Sequence, residues 1–94
     1  MNTYEAVVIL TTKLSDEDRE AVKTKISDLI SEQGEVIGID DWNTKQLAYE
    51  IKHEKEGVYY LYNFKAKPEF IAEFERVLRI DTNILKHMVV KKEN

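Results

Sequence analysis

VYYLYNFKA, residues 58–66, alternates along its whole length: Val58, Tyr60, Tyr62 and Phe64 fall on one side, Tyr59 and Leu61 on the other, with Asn63 and Lys65 continuing the second set. A period of two is that of a β-strand, and rings and branched side chains pack well on its pleated surface. Tyr60, Tyr62 and Phe64 therefore read as the buried face. Before this strand, residues 53–57 (His53 to Gly57) are polar and end in glycine, which predicts a turn. After it, Pro68 suits the first position of a helix, and Phe70, Ile71, Phe74, Val77 and Leu78 recur at helical spacing to about Arg79.

Upstream, residues 35–51 alternate loosely through Val36, Ile37, Ile39, Trp42, Leu47, Tyr49 and Ile51, and predict a long strand bulged near Asn43. Ser15 precedes Asp16, Glu17 and Asp18, a spacing close to a capping box with three carboxylates at the positive end of a helix dipole. The helix it opens carries Val22, Ile26, Leu29 and Ile30 on one stripe, and Gly34 is expected to stop it in the left-handed conformation. Residues 3–11, with Val7, Val8 and Ile9, predict a central strand, and residues 84–91 a closing one.

The resulting order is strand, helix, strand, strand, helix, strand, expected as a single domain over residues 1–94. It predicts an α+β fold of ferredoxin-like βαββαβ type, a four-stranded antiparallel sheet with both helices packed on one face. The other face would present Val7, Ile9, Tyr59 and Leu61, continued by Met88 and Val90. An apolar open face points to a partner.

A chain of 94 residues buries only about 60 to 65% of the surface of its unfolded form, too thin a core for a large enclosed active site. Without cysteine there is no disulfide framework, thiolate metal site or cysteine nucleophile, and a reducing, cytoplasmic setting fits. No apolar run approaches the roughly 20 residues that span a bilayer, and Glu5 stands where a signal peptide would be basic or apolar, so no membrane association is expected. His53 and His87 match no metal-ligand spacing. The pairs Glu54/Glu56 and Asp40/Asp41 lack an apolar setting that would raise one pKa, and Gly34, Gly38 and Gly57 are too far apart to cradle a nucleotide. No enzyme, cofactor or small-molecule substrate is expected.

Net charge is −4, the wrong sign for gripping nucleic acid over the whole surface. Its distribution is uneven. Residues 76–92 hold Arg76, Arg79, Lys86, Lys91 and Lys92 against Asp81 alone, while residues 1–75 hold nine basic and sixteen acidic residues and Glu93 adds one more negative charge. The cationic end could meet phosphate, although lysines also protect edge strands from aggregation. The strand at 58–66 is loosely similar to an RNA-recognition motif, with Tyr59 and Leu61 at the stacking positions, but Leu61 offers no ring and the acidic total opposes an autonomous single-strand binder. A small-molecule regulatory domain of the same topology is the other alternative.

Several segments together narrow these alternatives: Tyr4-Glu5, then Asp41-Trp42 followed by Gln46-Leu47-Ala48-Tyr49-Glu50-Ile51, then Leu78-Arg79-Ile80 and Leu85-Lys86-His87-Met88-Val89-Val90-Lys91. In this combination and at these distances the chain resembles the family of the sixth protein of the bacterial small ribosomal subunit. The resemblance implies a ferredoxin-like structural constituent of the 30S subunit that binds the central domain of 16S ribosomal RNA cooperatively with the basic eighteenth small-subunit protein. It further implies RNA contacts at Tyr4, Arg79, Lys86, His87, Lys91 and Lys92. Contacts to the partner protein are expected from Trp42, Lys45, Leu47, Tyr49, Tyr59 and Leu61. Where the family has glycine and a basic pair after the tryptophan, this chain has Asn43, Thr44, Lys45 and Gln46.

Overall fold

Ser15 starts the first helix: its hydroxyl oxygen accepts the Asp18 backbone N–H at 3.1 Å, removing one of the orphan donors of the first turn. The computed structural model describes residues 1–92, so Glu93, counted above among the acidic residues, lies with Asn94 outside the described residues. The elements are β1 (Asn2–Leu10), α1 (Asp16–Gln33), β2 (Gly34–Ile51), β3 (Glu54–Ala66), α2 (Pro68–Ile80) and β4 (Ile84–Lys92). The strands form one sheet in the order β2-β3-β1-β4, every neighbouring pair antiparallel. This is the ferredoxin-like arrangement that the alternating and helical patterns predict.

Alternation decides which side chains meet the helices. Tyr4, Ala6, Val8 and Leu10 of β1 stand opposite Phe64, Tyr62, Tyr60 and Val58 of β3, and all eight are buried. Helix α1 adds Val22, Ile26 and Ile30, and α2 adds Phe70, Phe74 and Leu78, to the same cluster. Phe64 lies at its centre, stacked on Tyr4 with centroids 5.6 Å apart and edge-on to Phe74 at 5.4 Å. Full burial of each such side chain is worth about 1.5–3 kcal/mol. The Tyr62 hydroxyl, carried into this layer, donates to the Lys23 carbonyl of α1 at 3.1 Å.

Two glycines act otherwise than the sequence predicts. Gly34 has φ −166°, ordinary extended backbone, so it does not end α1 in the left-handed conformation. Its lack of a side chain matters for space, because a Cβ there would strike the Lys65 carbonyl oxygen of β3. The turn after β2 is Lys52-His53, both at positive φ (49° and 65°), and β3 starts at Glu54, four residues before the expected Val58. Paired φ > 0 residues between Ile51 and its partner Glu54 make the mirror-image hairpin turn that suits twisted strands. Gly57 belongs inside β3, where a Cβ would collide with Ile9 Cγ2.

Strand β2 slips register against β3 between Val36 and Gly38, between Asp41 and Asn43, and between Gln46 and Ile51. The middle slip is the bulge expected near Asn43, whose φ is 62° and whose N–H donates to Asp41 Oδ1 at 2.8 Å. Bulges bend and twist a strand, and here the end of the hairpin curls over the sheet face away from the helices. Leu47 reaches Ile9 and Leu85, with Val7, Ile51 and Tyr59 packed around them. The Glu54 carboxylate fastens the hairpin to the end of β1 by accepting the Thr11 hydroxyl at 2.6 Å. The face expected to be open is thus partly covered by the chain itself: Ile9 is only 7% exposed, whereas Met88 and Val90 remain 52% and 53% exposed.

Candidate nucleic-acid interface

The curled hairpin brings its tip to the start of β4. Lys86, on β4, donates from its ammonium to the Tyr49 hydroxyl of β2 at 2.7 Å, and the same nitrogen lies 5.1 Å from the Tyr49 ring centroid. Beside this pair is a groove of about 330 Å³ lined by Lys52, Arg79, Lys86 and His87 over Leu78, Ile84 and Leu85. Three elements supply its cations: the hairpin turn, the last turn of α2 and the first residues of β4. Arg79 sits at the negative end of the α2 dipole, a favourable place for a cation.

Asp81, the acid nearest these cations in sequence, faces another way. Its carboxylate takes the Lys25 ammonium of α1 at 3.1 Å and the Asn83 N–H at 2.9 Å, so it links the helices and leaves the groove without a carboxylate among its lining residues. The groove can accept an anion with several charge-assisted hydrogen bonds. The helix layer has the opposite character. A furrow of about 710 Å³ between α1 and α2 is bordered by Glu17, Glu20, Asp28 and Glu32. On α2, Arg76 holds the Glu73 carboxyl below its ordinary range through a two-pronged contact at 2.7 and 3.0 Å.

The cationic residues that are close in sequence do not form one patch. Arg79, Lys86 and His87 meet at the groove, but Lys91 and Lys92 stand beside Tyr4 and Thr3, while Lys86 stands beside Ile9. At about 3.4 Å per residue this puts them about 17 to 20 Å from Lys86. Lys92 is also ion-paired with Glu5 at 2.6 Å. Tyr4, for which an RNA contact is expected, is 5% exposed with its ring in the core, because β1 alternation places it with Ala6, Val8 and Leu10. Its side chain offers no ring face to a ligand.

The residues expected to meet a partner protein divide in a similar way. Leu47 is 8% exposed and occupied by Ile9 and Leu85 within the chain. Trp42 is exposed at the β2 bulge with the Lys45 ammonium 5.1 Å from its ring centroid. Leu61 and Tyr59 are half-buried on the sheet, and Leu61, Val7 and Met88 form a row across β3, β1 and β4. Tyr49, 59% exposed, lies by the cationic groove instead. Lys52 was not among the expected contacts. Its basic side chain stands just before the turn expected at residues 53–57, but its approach to Arg79 depends on the curl of β2, which alternation does not encode.

Among the described residues no group of three or more His, Cys, Asp or Glu could hold a metal ion, and no helix is long and apolar enough to cross a membrane. Comparison with known proteins adds a consistent set of matches. The sequence profile of the family described as Ribosomal protein S6 matches residues 3–91. The small ribosomal subunit protein bS6 of Heliobacterium modesticaldum is 40% identical over 94 residues, which cover 99% of this chain and 98% of the relative. That of Clostridioides difficile is 38% identical over 90 residues, covering 96% and 98%. Among solved structures, 30S ribosomal protein S6 from Thermotoga maritima superposes with a TM-score of 0.92 at 24% identity, over 97% of this chain and 87% of that one. The C-terminal domain of the MgtC protein from Mycobacterium tuberculosis reaches 0.59 at 12% identity over 99% and 89%. These structural likenesses establish the shared fold.

Proposed function

The chain belongs to the ribosomal protein S6 family, whose members are components of the small ribosomal subunit and not enzymes, and from this premise we propose that it binds the central domain of 16S ribosomal RNA jointly with the basic eighteenth small-subunit protein. The observation that carries the reading is the groove in which Lys52, Arg79, Lys86 and His87 converge on a chain whose net charge is −4. A small cationic site on an acidic body favours one docking edge, and it gives weak binding alone. A basic protein seated on the row of Leu61, Val7 and Met88, of which Met88 is exposed and the other two half-buried, with Trp42 and Lys45 at its margin, would complement the acidic surface and add a second set of phosphate contacts. Lys91 extends the cationic edge at the far end of β4.

A gel-shift titration with a central-domain RNA fragment tests this, using this chain alone, the eighteenth protein alone and both at fixed salt. A shift that requires both proteins is the expected result, and Arg79→Ala should weaken that complex about tenfold with folding intact, as loss of a hydrogen bond to a charged group does. Absence of any additional shift when this chain joins the partner would overturn the cooperative reading.

A further inference from the structure

The groove offers a place for phosphate but leaves Tyr49 unexplained: a ring 59% exposed, beside a cationic site and bonded to one of that site's own lysines. We infer that Tyr49 and the groove form a binding site for one unpaired nucleotide, with its phosphate among Lys52, Arg79 and Lys86 and its base stacked on the Tyr49 ring. The inference rests on the RNA-binding reading above and names the kind of RNA that this edge selects.

Lys86 is the hinge of the site. Its ammonium donates to the ring's hydroxyl at 2.7 Å and lies 5.1 Å from the ring centroid, so it anchors the polar end of Tyr49 from the ring's edge. The exposure that remains leaves the ring an accessible surface on which a base can lie. Lys86 also lines the groove, where a phosphate oxygen would sit about 2.8 Å from its ammonium. One lysine thus spaces phosphate from base. Bases within a duplex already have both faces stacked, so a ring of this kind selects a bulged, looped or single-stranded nucleotide. Stacking of this type tolerates any base, because every base has a π-face.

The test uses the full chain at low salt and two RNA hairpins, one with a single bulged 2-aminopurine and one with the same residue paired. The wild-type chain should bind the bulged hairpin about tenfold more tightly and change the fluorescence of the unpaired base. Tyr49→Ala should bring the two RNAs to equal affinity, and Tyr49→Phe, which keeps the ring and loses the bond to Lys86, should retain most of the preference. Far-UV circular dichroism of both variants shows whether the hairpin remains folded. Equal wild-type binding of the two hairpins would overturn the stacking site and leave the groove as a phosphate site, whereas binding of neither, even with the basic partner added, would overturn the RNA reading as well. A Tyr49→Ala variant that keeps the RNA preference but pairs less well with the basic protein would assign the ring to the protein interface and overturn the inference.

Discussion

Tyr62 is a fully buried side chain that keeps its proton because of where it lies. Burial disfavours the phenolate and pushes its pKa well above the ordinary value of 10.0, and Tyr60 is raised by the same cause. The fold therefore holds these protons more tightly than the unfolded chain does. The stabilisation is complete below about pH 10, and falls as pH rises above it because the unfolded state alone can release the protons. Alkaline titration should show loss of helical circular dichroism together with the rise of tyrosinate absorbance. Tyr62→Phe should unfold at higher pH than wild type, and should be about 1 kcal/mol less stable at neutral pH because the bond to the Lys23 carbonyl is gone. Coincident alkaline curves for the two proteins would remove Tyr62 from this account. The place of Tyr62 was legible in the period of residues 58–66. That of Tyr4 was equally written in the spacing of Ala6, Val8 and Leu10, whereas likeness to a family assigned it an RNA contact and the structure places its ring in the core.

At the scale of an element, the β2–β3 hairpin carries a contradiction between stability and recognition. Lys52 and His53 occupy a turn that favours Asn-Gly, since a Cβ at positive φ crowds the backbone carbonyl, which glycine avoids and asparagine tolerates best. Replacing both, Lys52→Asn with His53→Gly, should raise unfolding stability by about 1 kcal/mol in urea titration. The same pair of changes removes a cation from the groove, so RNA binding should fall while stability climbs. A variant that gains stability and keeps its RNA affinity would show that the groove does not depend on Lys52, and one that loses stability would overturn the account of the turn. This hairpin is also where reading the sequence stopped short. Polar residues ending in Gly57 look like a turn, yet that glycine is kept small by the approach of Ile9, a contact between strands far apart in sequence. The bulge at Asn43 was legible because asparagine tolerates positive φ, whereas the slip between Gln46 and Ile51 has no local marker.

For the molecule as a whole, the length of β4 sets one charged stretch of sequence at two separate ends of the same sheet edge. The order of elements and the faces of both helices follow from periodicity, so the layer architecture was legible; which cations share a site follows from the curl and reach of the hairpin, and was not. The number of phosphates met is measurable. Lys52, Arg79 and Lys86 acting together should give a log–log dependence of RNA affinity on salt with a slope of about −2 to −3 for this chain's share, and Arg79→Ala should make it shallower by about 0.7 to 0.9. A slope unaltered by that change would remove Arg79 from phosphate contact. Binding at the Lys91 edge alone would leave it unaltered in the same way.

The acid-lined furrow between α1 and α2 acts before any contact is made. Facing a polyanion, a body with carboxylates along one layer and a cationic notch at another edge experiences a torque as well as a force. Approach by the helix layer is repelled, and approach by the notch is drawn inward. The negative charge that weakens attraction at long range thus works as a rudder, trading encounter frequency for orientation. Rising ionic strength, by shortening the Debye length to about 8 Å at physiological salt, confines that rudder to the last few water layers before docking.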